Sequence, residues 1–217
     1  MAVNFYAAFD VQVTTPRLQL RAATDDLLEA LAPVVAAGKT AAHPPPYDDP
    51  ISLYESDPER RVQRWLQGIW RGRGRVDQDS WRLYFAVIFD GQPVGMQDLI
   101  GDQFSVHGTV TTFSWLSADV RGQGVGTEMR EAILHLAFDG LGAREARSDA
   151  FQDNLGSNAV CQALGYRENG VDWATRQDEP ALLQRWRLTY DDWLPQRRHD
   201  IELDGVNACK RLLSIHA

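Results

Sequence analysis

The densest chemical signal in the chain is the run Arg121-Gly122-Gln123-Gly124-Val125-Gly126-Thr127. Its glycines let a backbone approach an anion without a Cβ in the way. The run sits between a strand-like stretch, residues 109–116, and an amphipathic stretch from Val125 onward. Strand, glycine turn and long helix in that order present several backbone N–H groups to a negative charge. The first helical turn has unsatisfied donors and the positive end of the helix dipole. Taken alone, the run is equally a sharp turn that needs glycine only for its geometry. Spacing excludes two common phosphate loops. GxxxxGK[ST] is absent, and GxGxxG fails because Thr127 stands where the third glycine belongs.

The flanking elements must position this run. Residues 12–20 begin with a strand in which Leu18 and Leu20 alternate with Arg17, Gln19 and Arg21. Thr24 caps a short helix with Asp25 and Asp26 in its first turn, which Pro33 limits or kinks. The apolar pattern lapses over residues 39–56, where His43-Pro44-Pro45-Pro46-Tyr47 reads as a long binding-type loop. Asp57-Pro58-Glu59 starts a second helix, ended by Gly72 and Gly74. Strands over 81–89 and 93–99 flank an Asp90-Gly91 hairpin turn, and a third strand covers 109–116. A helix over 125–138 carries Val125, Met129, Ile133, Leu136 and Ala137 on its apolar stripe. A strand over 146–151, a helix over 154–164 closed by Gly165, and strands near 167–176 and 182–190 complete the pattern. The result is an α/β domain, antiparallel in front and strand-helix-strand-helix behind.

Composition bounds the rest. A chain of 217 residues with 44% hydrophobic residues and seven Trp has enough core for one domain over 1–217, with a packed C-terminal extension over about 191–217. The net charge of −8 argues against direct nucleic-acid binding and suits a cationic partner such as an amine. No stretch approaches the ~18 apolar residues of a membrane span, and Asp10 interrupts any signal-peptide layout. Cys161 and Cys209 lack metal-ligand or CxxC spacing, and the five His are scattered, so no metal is expected. A reduced, cytoplasmic setting is expected, and a homo-oligomer is compatible with the pattern.

Arg121-x-x-Gly124-x-Gly126 resembles the [QR]xxGx[GA] signature of the GCN5-related N-acetyltransferase (GNAT) family. The surroundings are similar to its RimJ/RimL-like branch, actinobacterial type: Thr15-Pro16-Arg17-Leu18-x-Leu20-Arg21, Ser114-Trp115-Leu116, Thr127-Glu128-Met129-Arg130, Asn154-x-x-Ser157 and Leu164-Gly165-Tyr166. The similarity covers about residues 11–170. It implies a GNAT acyl-CoA N-acyltransferase fold, a mixed, mostly antiparallel twisted sheet flanked by helices. It also implies acetyl-CoA or succinyl-CoA as acyl donor and an amine-bearing acceptor: a protein N-terminus, a lysine or a small amine. By the resemblance, the backbone of Arg121, Gly122, Gln123, Gly124, Val125, Gly126 and Thr127 binds the pyrophosphate. Ser114, Trp115 and Leu116 pair with the pantetheine amides, although the Trp115 side chain is better read as core. Asn154 bonds the pantetheine arm and Ser157 lies near the sulfur, where it can protonate the departing thiolate. Both are also good helix caps. Tyr166 is the alternative acid.

Direct transfer needs a base, because an amine is protonated at neutral pH. Relatives carry a Glu on the strand before the glycine run, where this chain has Thr111 and Thr112. Asp98 and His107 are the nearby candidates, and the base stays unassigned. A succinyl carboxylate would need a cation, for which Lys39, His43 and Arg73 are candidates. The rival readings are a non-catalytic acyl-CoA-binding sensor and a nucleotide-binding fold, the latter disfavoured by the glycine spacing.

Overall fold

The computed structural model describes residues 5–38 and 54–215; Lys39, His43 and the Pro-rich loop lie outside the described residues. In place of one strand over 12–20, a hairpin forms. β1 (Gln12–Thr14) and β2 (Leu18–Ala22) pair antiparallel, with Val13 opposite Leu20. Pro16 lies in the turn, where its missing N–H interrupts no ladder. The Thr15 hydroxyl closes that turn by accepting the Leu18 N–H at 2.9 Å.

α1 (Asp25–Ala36) runs through Pro33 and does not end there. The proline is one turn from the helix end, so its missing donor disturbs only the last turn. α2 (Pro58–Arg73) begins as its sequence suggests, the Asp57 carboxylate accepting the Arg60 N–H at 2.8 Å. Gly74 follows the last residue of this helix, whereas Gly72 lies inside it, where the Tyr84 ring takes the space of a Cβ. β3 (Ser80–Phe89) and β4 (Gln92–Asp102) meet at Asp90-Gly91, whose φ values of 50° and 73° suit a type I′ turn.

A one-turn helix that the sequence does not signal, α3 (Phe104–His107), precedes β5 (Thr109–Leu116). α4 (Val125–His135) follows the glycine run and widens into a π-helical turn, Leu136–Gly140, where the Leu141 N–H reaches back to the Leu136 carbonyl. β6 (Glu145–Phe151), α5 (Leu155–Ala163), β7 (Arg167–Arg176) and β8 (Glu179–Thr189) complete the back half. The tail forms α6 (Tyr190–Trp193), β9 (Glu202–Asp204) and α7 (Val206–Leu212). It buries Ile201, Cys209 and Leu213.

The nine strands of the described residues join one sheet in the order β7-β8-β6-β5-β4-β3-β2-β1-β9, antiparallel except at β5–β6. One face packs on α4, with Met129, Ile133 and Leu136 against Leu20, Phe85 and Leu99. The other packs on α1 and α2, where Leu28, Leu31, Trp65 and Ile69 cover Ala86, Met96 and Trp115. Side chains alternate along β5, so Ser114 and Leu116 face α4 while Phe113 and Trp115 face α1 and α2.

Candidate active site

The two central strands are neighbours at one end only. β5 and β6 pair at Thr109↔Glu145, Val110↔Ala146 and Thr111↔Arg147, and the Thr112 hydroxyl adds a bond to the Arg147 carbonyl at 3.2 Å. Beyond that row β5 stays on β4 as far as Leu116, and β6 stays on β8 as far as Phe151. The strands therefore part. β6 no longer pairs with β5 alongside residues 114–116, and an extended, amide-bearing chain can run along that edge.

The glycine run stands at the mouth of this gap. Gly122 and Gly124 adopt φ of 72° and 78°, and a Cβ at Gly122 would meet nothing within 4 Å. The first intrahelical bond of α4 runs from the Glu128 N–H to the Gly124 carbonyl at 3.1 Å. The N–H groups of Val125, Gly126 and Thr127 thus have no acceptor inside the helix. The Arg121 side chain turns back toward the sheet. Its Nε and Nη2 donate to the Leu116 carbonyl at 3.3 and 3.0 Å, stapling the turn to the end of β5.

Glu128 places a carboxylate in the first turn of α4, beside the anion site. It is neutralised from the other end of the chain. Thr15 Oγ1 and Arg17 Nε each donate to it at 2.6 Å, and Arg17 Nη1 also reaches the Gln123 carbonyl at 3.2 Å. Burial raises the Glu128 pKa, but the bonds from Thr15 and Arg17 prevail and hold it below its usual value. This gives the opening Thr-Pro-Arg its physical reason. More than a hundred residues separate the partners, which hides the pairing from any local reading.

The family model for the acetyltransferase (GNAT) domain matches residues 17–167. The chain belongs to the GNAT acetyltransferase family. Solved structures of similar fold include Mycobacterium smegmatis RimJ in complex with CoA-disulfide, at TM-score 0.71 and 19% identity over 88% of this chain and 92% of that one. The ribosomal L7/L12 α-N-protein acetyltransferase RimL in complex with coenzyme A aligns at TM-score 0.63 and 17% identity, covering 82% and 97%. The microcin C7 self-immunity acetyltransferase MccE, in complex with acetyl-CoA and AMP, aligns at TM-score 0.63 and 14% identity, covering 80% and 93%. At these identities the likeness establishes the fold.

In this GNAT chain α5 flanks the glycine run, since Val160 lies 3.9 Å from where a Gly126 Cβ would be. Asn154 caps α5, its Oδ1 accepting the Ser157 N–H at 3.2 Å, and Ser157 is half-buried in the first turn. Asn158 ties the helix down: it donates to the Phe151 and Gln152 carbonyls and accepts from Trp186 Nε1 at 2.8 Å. Tyr166 is core, as is the Trp115 indole, which meets Trp65 edge-on at 6.4 Å. Burial pushes the Tyr166 phenol up, against the opposing pull of Arg130 and Thr112 beside it. Burial likewise raises the Cys161 thiol, so it is a poor nucleophile.

The two base candidates separate. His107 is exposed on α3, before the first residue of β5, whereas the glycine run follows its last. An eight-residue strand at about 3.4 Å per residue holds the two ends apart, so His107 does not join this site. Asp98 stands beside Phe113 in the sheet but is sealed, with 3% exposure. Arg82 Nε and Nη2 both grip its Oδ2, at 2.9 and 2.6 Å. Burial pushes its pKa up to about 6 in spite of Arg82. Arg82 itself lies over the Tyr84 and Phe113 rings, at 5.0 and 5.3 Å.

Another carboxylate, overlooked in the sequence, stands on the β6 wall of the gap itself. Asp149 is two residues past Arg147 on β6, where pairing with β5 has ended. Ser148 and Ala150 are buried and Ser148 bonds to Arg130 of α4, so Asp149 points to the α1–α2 face. Its side chain is 37% exposed, and Arg185 Nε approaches only to 3.9 Å while Arg185 Nη1 holds Asp172 at 2.8 Å. Burial raises its pKa, Arg185 and Arg147 oppose that, and Asp172 adds to it. Of the cations considered for a succinyl group, Arg73 is committed to Asp25 and to the Ala23 carbonyl.

Proposed function

We propose that this chain is an N-acyltransferase that moves an acetyl group from acetyl-CoA directly to the primary amine of a protein N-terminus, lysine or small molecule. The parting of β5 from β6, with the N–H groups of α4 at its mouth, is the observation that carries the proposal. A pyrophosphate fits the glycine run because its donors are free of helical acceptors and Cβ atoms are missing where it would approach. The pantetheine amides fit the open edge at Ser114, Trp115 and Leu116, and Asn154 and Ser157 stand on the adjoining helix. The bound thioester supplies an activated acyl carbon and a thiol leaving group.

The chain's own residues do the remaining work. Gln123 to Thr127 orient the donor through backbone N–H groups, and the helix dipole favours its charge. Asp149 receives the amine proton, because it is open on the α1–α2 face, from which the acceptor approaches in this reading, and its raised pKa makes it the stronger base. Ser157 is the group on α5 that can hand a proton to the sulfur. No side chain carries the acyl group, since Cys161 is fully buried. Succinyl-CoA is the second donor to test, because Arg82 and Arg185 place guanidinium groups on the acceptor face on either side of the gap.

Thiol release from acetyl-CoA and succinyl-CoA, with a panel of peptides and small amines and mass analysis of products, tests the proposal. Amine-dependent release with one N-acyl product is expected. Tight CoA binding with no turnover on any amine would instead make the protein a sensor.

A further inference from the structure

Arg130 of α4 is a buried cation without a buried anion. It is 4% exposed, and among the described residues no carboxylate forms an ion pair with it. Its Nη1 donates to Ser148 Oγ at 2.9 Å and its Nη2 to Ser114 Oγ at 3.3 Å, while its Nε meets no hydrogen-bond acceptor among the described residues. The acids nearest in sequence are spoken for: Glu128 by Thr15 and Arg17, and Glu131 by Arg198 at 2.6 Å. The other titratable groups facing it are the Cys161 thiol from α5 and the Tyr166 phenol from the turn before β7, both held neutral by burial. Asp149, the next acid along β6, points to the opposite face of the sheet.

Such a charge is expensive to desolvate, and an apolar side chain of similar size would fill the space without that penalty. Its position supplies the reason. Ser114 belongs to β5 and Ser148 to β6, both beyond the last paired row, so the guanidinium lies beneath the gap and touches both walls.

Building on the acyl-CoA reading above, we infer that Arg130 supplies the fixed positive charge that stabilises the coenzyme A sulfur as it leaves. As the amine nitrogen bonds to the acyl carbon, the carbon–sulfur bond breaks and its electron pair goes to sulfur. The amine proton passes to Asp149, and the sulfur ends as a thiol by taking a proton from Ser157, whose hydroxyl regains one from solvent. Arg130 neither gives nor takes a proton. It lowers the energy of the negative sulfur between those two events, as a preorganised charge in a dry site can.

The test is the acidity of the thiol of coenzyme A bound to the protein. It is read as thiolate absorbance against pH, as a difference between CoA-loaded and CoA-free protein. In the wild type the bound thiol is expected to titrate at least one pH unit below free coenzyme A. Arg130→Gln keeps donors for both serines but removes the charge. It should return the thiol to the free value or above, whereas Arg130→Lys should keep most of the shift. An unshifted thiol in the wild type would overturn the inference without any variant. So would an equal shift in wild type and Arg130→Gln, which would leave Arg130 as a tie between the walls. Absence of CoA binding by the wild type would reject the acyl-CoA reading itself.

Discussion

Asp98 on β4 and Asp149 on β6 both point to the α1–α2 face of the sheet, and burial pushes both toward the neutral acid. Their fates differ because their strands differ. β4 is paired on both sides along its length, so Asp98 is hemmed in by Tyr84 and Phe113 in its row and gripped by Arg82. β6 has lost its β5 neighbour where Asp149 sits, and that leaves one side open to solvent. The same residue type is thus a structural counter-ion in the fully paired β4 and an accessible carboxylate on β6, the base of the proposed mechanism. Strand pairing decides which.

The largest effect should come from the open carboxylate. Asp149→Asn is expected to lower kcat about 10²- to 10³-fold in amine-dependent thiol release, with CoA affinity unchanged. The wild-type rate should fall as pH drops through the Asp149 pKa, above the usual carboxylate value of 3.8, and that limb should vanish in the variant. A similar loss in Asp98→Asn with none in Asp149→Asn would invert the comparison.

A smaller effect should follow from releasing Glu128. In Arg17→Ala a charged carboxylate beside the phosphate site loses its main partner, so the Kd for CoA should rise about tenfold. Adding Glu128→Gln should recover most of that loss in the same titration. Without recovery, Arg17 acts by some route other than Glu128.

The sealed carboxylate should matter least to rate, with kcat of Asp98→Asn within about threefold of wild type. Its signature is in stability. A folded pKa of about 6 against 3.8 means the group's contribution is full below pH 3.8 and lost as pH rises through 6. Denaturant unfolding should therefore show wild type losing on the order of 2 kcal/mol relative to the variant between pH 4 and pH 7. The opposite slope would show that the Arg82 pairing outweighs burial.

Local chemistry made part of this legible in advance. Residues 109–116 have the composition of a strand, Asp57-Pro58 that of a helix start, and the glycine run that of a turn into a helix, and each of these elements forms where its residues suggest. The failures are those where distant segments decide. Nothing near Pro16 in the sequence shows that Thr15 and Arg17 will hold Glu128. His107 is close to β5 in sequence, but α3 leaves it at the wrong end of that strand. Asp149 and Arg130 acquire meaning only from the row at which β5 and β6 part, a register that neither strand encodes alone.

An acyl-CoA held by the glycine run and the gap behind it underlies every step of the proposed chemistry. Gly126 has ordinary helical φ, and an added Cβ would make only normal contacts with Leu116 and Val160, so a Trp there should fill the mouth without unfolding α4. Isothermal titration of acetyl-CoA should give one site per chain in wild type and at least about 100-fold weaker binding in Gly126→Trp at matched thermal stability. Equal affinity in the two folded proteins would contradict the site.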